Sequence, residues 1–340
     1  MATQPEILSI SPAPLLQIRD LTVEYAADGG RSLTPALHKV GLDIWAGETV
    51  GILGESGAGK SSLASTILGM LPPNSRTAGS ILFQSRGLPS QDLLRLDEAP
   101  WRAIRGAKIA MIFQEPGLCL NPVMRVGDQI AEVIRAHGPQ TREQRKQECK
   151  AMLDEVGFLD VERIYRAYPH QLSGGELHRV AIAQALVCRP ELVIADEPTR
   201  ALDVTAQGEI LNVLRKTQRT VGSALIFITH NPALLAGFAD RVVIMYGGRV
   251  VEEGPVAQVF RRPLHPYTKG LLQLFPSAPN AEFVHGRLPV IPGSLTDEDH
   301  RTSGCIFEPR CSARTAICRS EAPAEETRDD RRVSCFHHGN

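Results

Sequence analysis

The 340-residue sequence has almost no net charge, few aromatic residues and no long apolar run. Its 37 Lys and Arg residues nearly cancel its 38 Asp and Glu residues, which gives no argument for binding nucleic acid or an acidic membrane surface. No apolar run approaches the roughly 18 residues that a membrane-spanning helix needs. Residues 1–14 also lack the basic segment and apolar core of a secretory signal. These absences predict a cytosolic chain that reaches a membrane only through partners.

Cysteine is concentrated at one end of the chain. Four of the seven cysteines fall within the last 36 residues: Cys305, Cys311, Cys318 and Cys335. In a cytosolic chain such clustering indicates metal or redox chemistry before structural disulfides. Spacings of 5, 6 and 16 intervening residues would allow four thiolates to hold a 4Fe–4S cluster or a tetrahedral zinc ion, although the tight C-x2–4-C pairs of structural zinc sites are absent. Unliganded surface cysteines are the remaining alternative.

Hydrophobic periodicity predicts strands and helices over most of the chain. Strands are predicted at 16–25, 49–53, 192–195 and 223–229, and helices at 61–71, 125–136, from 141 onward and at 176–188. The helix from Thr141 should begin with a capping box, because Gln144 stands three residues later. After about residue 260, repeated prolines interrupt every pattern, which indicates an extension.

Residues 54–61, called here the phosphate loop, lie between a predicted strand and a predicted helix. The segment reads Gly54, Glu55, Ser56, Gly57, Ala58, Gly59, Lys60 and Ser61, followed by Ser62. It fits the phosphate-binding pattern G-x-x-x-x-G-K-S/T, and N–H groups at the start of a helix favour an anion. Lys60 is expected to reach the β- and γ-phosphates of a nucleotide, and the Ser61 hydroxyl to coordinate Mg²⁺. The full pattern in this context makes a plain glycine turn the weaker interpretation.

Two acidic residues, Asp196 and Glu197, follow the strand predicted at 192–195. Ligands of α/β proteins bind at the carboxyl ends of such strands. Asp196 is expected to hold Mg²⁺ directly or through water, and Glu197 to polarise an attacking water as general base. A solvated acidic pair is the alternative, but a phosphate loop in the same chain favours the catalytic interpretation.

A second glycine-containing motif precedes the helix predicted at 176–188. It reads Leu172, Ser173, Gly174, Gly175 and Glu176. Together with the phosphate loop and the acidic strand end, it resembles the ATPase subunits of ABC transporters. That resemblance implies that residues 173–176 bind the γ-phosphate held by an opposite subunit, in a head-to-tail dimer with two ATP sites. Glu176 stands where Gln is commoner in the family.

Further residues match positions of the ABC family. The resemblance implies that Gln114 senses the γ-phosphate or Mg²⁺ and that His230 contacts the γ-phosphate. Tyr25 matches the aromatic residue that stacks on adenine, with a core-facing position on its strand as the alternative. Asp203 belongs to a segment resembling the D-loop, in which Arg200 occupies a position where a small Thr or Ser is usual.

The C-terminal region narrows the branch of the family. Residues 264–271 and the four-cysteine segment resemble the extension of oligopeptide, dipeptide and nickel importer ATPases. Members of that group carry an iron–sulfur cluster, so the resemblance favours a 4Fe–4S cluster at the four cysteines over zinc or free thiols. His337 and His338 are nearby residues of a type that binds zinc, so a zinc site is the alternative.

The resemblance implies an α/β fold with three parts. The core would be a P-loop NTPase domain of the ABC ATPase type over 15–260, a RecA-like mixed sheet with helices and an antiparallel β edge. A helical insertion is expected at about 115–172. A flexible arm over 1–14 would precede the core, and an oligopeptide-transporter-type extension over 261–340 would follow it.

The implied function is that of an ATP-hydrolysing subunit that energises import of di- or oligopeptides. It would act at the cytoplasmic face of the membrane, using ATP and Mg²⁺, with a second ATPase that is a copy or a paralogue. Two permeases and an extracytoplasmic binding protein would complete the transporter. Alternatives are the same motor for nickel, a metallophore or another small solute, and a soluble ABC ATPase in DNA repair or translation. A regulatory redox module, in which the cysteines gate the ATPase, is a further alternative.

Overall fold

The computed structural model describes residues 13–27, 32–200, 202–275, 291–294 and 303–338. The predicted arm over 1–14 therefore falls largely outside the described residues, as do residues 276–290 and 295–302 of the predicted extension. Within the described part, no helix is long and apolar enough to cross a membrane.

Strands account for two sheets in the described chain. They are Leu16–Ala27 (β1), Ser32–Ile44 (β2), Thr49–Leu53 (β3), Ser75–Phe83 (β4), Gln91–Asp92 (β5), Ile109–Ile112 (β6), Leu192–Asp196 (β7), Ala224–Thr229 (β8), Arg241–Tyr246 (β9), Arg249–Pro255 (β10), Glu326–Arg328 (β11) and Arg331–Val333 (β12). Helices cover much of the remainder. They are Lys60–Ile67 (α1), Glu98–Ile104 (α2), Pro116–Cys119 (α3), Val126–His137 (α4), Arg142–Glu155 (α5), Val161–Arg166 (α6), Gly174–Leu186 (α7), Val204–Val221 (α8), Val256–Arg261 (α9), Pro266–Gln273 (α10) and Ala316–Ser320 (α11).

The larger sheet has the strand order β11-β12-β10-β9-β3-β8-β7-β6. From β9 to β6 all neighbours are parallel, and from β9 to β11 they are antiparallel. Strands β3, β7 and β8 are buried along their whole length, as expected for parallel strands covered on both faces. The predicted mixed sheet with an antiparallel edge is therefore confirmed.

Two hydrophobic cores lie on opposite faces of this sheet. One face packs against α1 and the smaller antiparallel sheet β2-β1-β4-β5, and Ile52 and Ile194 point into that core. The other face packs against α4 to α8 and residues of the extension, with Leu53 and Ala195 pointing into it. Because side chains alternate along a strand, neighbouring residues of β3 and β7 serve different cores.

Some helix boundaries differ from those predicted. The capping box of Thr141 and Gln144 is present as predicted. Helix α1 ends at Ile67 rather than residue 71, because Gly69 adopts a φ of +60°. Helix α7 begins at Gly174, two residues earlier than predicted, because Ser173 is its N-cap in a capping box with Glu176.

The extension packs on the sheet rather than hanging from it. Its strand β12 pairs with β10, where Glu252 lies opposite Val333. Phe307 of the extension is buried against Tyr246 of β9, with ring centroids 5.1 Å apart. These contacts bring the extension close to the end of β3, where the phosphate loop begins.

Candidate active site

The phosphate loop connects β3 to α1. Gly59 is the N-cap of α1 with a φ of +96°, a conformation that side chains disfavour. A Cβ on Gly59 would also lie 2.7 Å from the Ala36 carbonyl oxygen, so only glycine fits. Helix α1 has no side-chain cap on its first N–H groups. These groups can therefore serve an anion at the helix N-terminus.

Lys60 is held inside the phosphate loop. Its ammonium group donates to the carbonyl oxygens of Gly54 and Glu55, both at 2.8 Å, and the residue is only 8% exposed. Burial lowers the pKa of Lys60, and nearby carboxylates, Glu197 first among them, oppose that shift. A phosphate bound at the loop would supply further compensating charge.

Asp196, at the end of β7, lies against the start of α1. The Ser61 hydroxyl donates to Asp196 Oδ2 at 2.9 Å. Burial raises the pKa of the Asp196 carboxyl, while the bond from Ser61 opposes the shift. A hydroxyl and a carboxylate are oxygen ligands of the kind that Mg²⁺ takes beside substrate phosphates. The residues present therefore fit a Mg²⁺ ion bound together with a nucleotide.

Glu197 brings the three predicted catalytic residues together. It adopts a φ of +44°, in the left-handed region that is strained for a residue with a side chain. His230 Nδ1 lies 2.8 Å from Glu197 Oε1, and Gln114 Nε2 lies 3.4 Å from Oε2. Because an ionised carboxylate only accepts hydrogen bonds, His230 donates from Nδ1 in this contact.

Arg200 also reaches this group, which sequence reasoning did not predict. Its guanidinium lies 3.6 Å from Glu197 Oε2. With the Gln114 amide turned so that its oxygen faces a donor, that oxygen accepts from Arg200 Nε at 3.1 Å, and this bond replaces the Nε2 contact with Glu197. The unusual residue of the D-loop-like segment therefore contacts both Glu197 and Gln114. Its departure from the family pattern was the only signal of this in the sequence.

Tyr25 lies near the phosphate loop at the end of β1. Its phenol hydroxyl donates to Ser62 Oγ at 3.1 Å, and its ring packs on the core beneath the smaller sheet. This position agrees with both interpretations of Tyr25. Stacking on adenine stays a prediction.

The motif at 173–176 forms the first turn of α7. Ser173 Oγ accepts from the Glu176 N–H, and the Glu176 carboxylate accepts from the Ser173 N–H at 2.9 Å and pairs with Arg163. A Cβ on Gly174 or Gly175 would meet nothing within 4 Å. Packing among the described residues thus does not require either glycine. Asp203, by contrast, caps α8, and its carboxylate accepts from the N–H groups of Thr205 and Ala206 at 3.0 Å.

The four C-terminal cysteines, called here the cysteine group, lie together on the extension. The Cys305 N–H donates to the Cys318 carbonyl oxygen at 2.8 Å. Burial, with a smaller contribution from the charges of the other three cysteines, raises the pKa of the Cys305 thiol to about 11. All are free cysteines. Burial likewise raises the pKa of Cys311 and of Cys335, and Cys318 raises both further.

The cysteine group does not have the geometry of a single-ion site. In the described residues, no three or more His, Cys, Asp or Glu side chains are arranged to hold a metal ion. His337 Nε2 is bonded to the Thr315 hydroxyl at 2.8 Å, and His338 Nδ1 to the Cys335 carbonyl oxygen. Both histidines thus have partners other than the thiols.

Comparisons with known proteins agree with this geometry. A family model described as ABC transporter matches residues 37–200, and one described as oligopeptide/dipeptide transporter, C-terminal region, matches 251–318. A putative peptide import ATP-binding protein of Brucella melitensis is 42% identical, over 92% of this chain and 94% of its own. The oligopeptide transport ATP-binding protein of Salmonella typhimurium is 39% identical, over 97% of both chains. The dimeric post-hydrolysis structure of an ATP-binding cassette bound to ADP and Pi is 29% identical and covers 71% of this chain and 98% of that chain, with a TM-score of 0.60.

Proposed function

The chain belongs to the ABC transporter family of ATPases, and we propose that it hydrolyses ATP to energise the import of di- or oligopeptides. One observation carries the peptide assignment. The same chain joins the nucleotide site to the oligopeptide/dipeptide C-terminal region, and relatives named for peptide import align with nearly its whole length. An ATPase subunit does not form the solute-binding pocket of a transporter. Transport experiments are therefore needed to determine which class of peptide is imported.

Some residues of the site would bind the nucleotide and Mg²⁺, and others would act on the attacking water. Lys60 and the N–H groups of α1 would hold the phosphates. Ser61 and Asp196 would hold Mg²⁺, which when bound offsets charge on the β- and γ-phosphates. Glu197 would take the proton of the attacking water, and its strained backbone supports a functional role. His230 would orient the Glu197 carboxylate through its contact with Oε1, and Gln114 would sense the γ-phosphate or Mg²⁺.

The motif at 173–176 would act on the nucleotide of a second subunit. Its two glycines face open space, which lets another molecule approach the N-terminus of α7. A head-to-tail dimer would place those N–H groups on the γ-phosphate held by the partner, with Asp203 near the dimer contact. The second subunit would be a copy of this chain or a paralogue.

Permease subunits would dock beside the helical insertion, at the cytoplasmic face of the membrane. Leu118 and Val123 are about 80% exposed, and Phe113 is 38% exposed, close to Gln114. These exposed apolar side chains are close together in sequence, and they would contribute to a surface that a partner covers. Movement of this surface when the dimer closes would pass to the permeases, which receive solute from an extracytoplasmic binding protein.

Peptide uptake by cells tests the proposal. A strain lacking the gene for this chain should lose uptake of labelled di- or tripeptide, and the wild-type gene should restore it. Glu197→Gln should fail to restore it although the protein accumulates, because the water is no longer activated. Restored uptake of nickel with no effect on any peptide would instead support the alternative of a metal importer.

For the cysteine group, we propose a 4Fe–4S cluster. A zinc ion with Zn–S bonds of about 2.3 Å would hold sulfurs roughly 3.8 Å apart. A four-iron cluster is larger and takes four thiolates, and the cysteine group offers four free thiols that lie close enough for their charges to act on one another.

Protein purified without oxygen should be brown and should absorb near about 400 nm. Its iron content should approach about four atoms per chain, and Cys311→Ser should lower both signals. Cys149→Ser is the matched control, because Cys149 is a buried cysteine of the helical insertion. Colourless protein with one zinc, or metal-free protein with four reactive thiols, would contradict the cluster.

A further inference from the structure

A buried arginine of the extension reaches the phosphate loop. Arg310, whose side chain is 6% exposed, donates from Nη1 to Glu55 Oε2 at 2.9 Å and from Nη2 to Oε1 at 3.3 Å. Its Nε donates to the Pro292 carbonyl oxygen at 2.8 Å. Arg310 and Glu55 are 255 residues apart in sequence. A two-pronged bond of this kind fixes direction as well as distance.

A second residue that follows the ATPase core, Tyr267, also contacts Glu55 of the phosphate loop. The Glu55 N–H donates to the Tyr267 hydroxyl at 2.9 Å. Tyr267 lies in a cluster of aromatic rings, with its centroid 4.7 Å from Tyr246 and 5.4 Å from Phe307. The tyrosine is fully buried, so its hydroxyl has a fixed position. The side chain and the backbone of Glu55 are thus both held from outside the loop.

The charge of Glu55 makes this contact important for nucleotide. Burial lowers the pKa of Lys60, and Glu55 is among the carboxylates that oppose the shift, so its charge is felt where phosphates would bind. A carboxylate left unpaired there would repel an incoming triphosphate. Pairing with Arg310 offsets that charge and holds the carboxylate on the extension.

We propose that Arg310 and Tyr267 are positioning residues of the ATP site. They fix Glu55, so that nucleotide affinity depends on the extension, including the segment that ends at Cys311. The inference rests on the proposed nucleotide role of the phosphate loop and is independent of which solute is transported.

Nucleotide affinity of purified variants tests the inference. Arg310→Gln should weaken ATP binding by about tenfold and raise the KM for ATP, with kcat at saturating ATP changed by less than about twofold. The double variant Glu55→Gln with Arg310→Gln should recover affinity to within about threefold of wild type, because the repelling charge is gone. The ATP affinity of Arg310→Lys should fall between those of wild type and Arg310→Gln, since lysine keeps the positive charge but cannot make the two-pronged bond to the Glu55 carboxylate.

Arg331→Gln is the matched control for loss of a buried arginine of the extension. Its side chain is 4% exposed and donates to the Arg262 carbonyl oxygen, away from the loop. It should leave ATP affinity within about twofold. Equal weakening in both arginine variants, or no recovery in the double variant, would overturn the inference.

Tyr267→Phe provides a second route if Arg310→Gln does not fold. It keeps the ring in the aromatic cluster and removes only the acceptor of the Glu55 N–H, so ATP affinity should fall about threefold or more. Unchanged affinity would overturn the role of Tyr267. Wild-type protein that binds ATP with this dependence but does not support peptide uptake would count against the proposed function alone.

Discussion

Glu197→Gln is expected to bind ATP normally and to hydrolyse it roughly 10²–10⁴-fold more slowly than wild type. Gln has nearly the same shape, and its amide oxygen can still accept the hydrogen bond from His230 Nδ1. It cannot take a proton from water, so the chemical step fails while binding remains. Because closure precedes hydrolysis in the proposed cycle, the variant should also accumulate as an ATP-bound dimer.

Measurements of ATP turnover and of particle mass test the loss of hydrolysis and the accumulation of the dimer. Single-turnover hydrolysis of labelled ATP reports the chemical step, and light scattering with and without ATP reports the dimer. Glu209→Gln is the matched control, since Glu209 is an exposed residue of α8 that pairs with Arg179 at 3.4 Å. Near-normal turnover in Glu197→Gln would remove Glu197 from the role of general base.

Lys60→Ala should lose ATP affinity itself, by about 10- to 100-fold. The variant removes the only ammonium group found within the described phosphate loop, and with it the donor to the Gly54 and Glu55 carbonyl oxygens. Calorimetric titration with ATP in the presence of Mg²⁺ measures the change. Lys216→Ala on the exposed face of α8 should bind as wild type.

Unaltered affinity together with normal turnover in Lys60→Ala would mean that Lys60 does not act on the phosphates. A normal ATP affinity with slow turnover would move Lys60 from binding to chemistry. The two variants therefore separate the binding and hydrolysis steps, because Glu197→Gln should change only the second.

The convergence of Gln114, Glu197 and His230 follows from the order of the parallel strands. Each residue comes soon after a strand, β6, β7 and β8 respectively, and these strands are neighbours in the sheet. Carboxyl ends of neighbouring parallel strands meet at one edge, so a correct reading of the strands predicts that these residues lie near each other. Local motifs such as the phosphate loop were predictable for a similar reason, because their geometry is set by adjacent residues.

Contacts that depend on the folded path of the chain could not be predicted from the sequence. The pairing of Arg310 with Glu55 depends on how the extension folds back on the sheet, and no periodicity encodes it. The contact of Arg200 with Glu197 is local, three residues apart, but it depends on the turn that follows β7 and on the left-handed backbone of Glu197. The start of α7 at Gly174 follows from the capping box of Ser173 and Glu176, whereas the low helix propensity of two adjacent glycines favours a later start.

Uptake of labelled peptide into membrane vesicles tests the central claim most directly, namely that ATP hydrolysis by this chain drives peptide import. The vesicles would hold the permeases and the partner ATPase, with this chain and ATP on the nucleotide side and the binding protein on the other. Wild-type protein should give uptake that requires ATP, and the Glu197→Gln protein should give none at equal occupancy. Peptide uptake of equal rate with both proteins would contradict the claim.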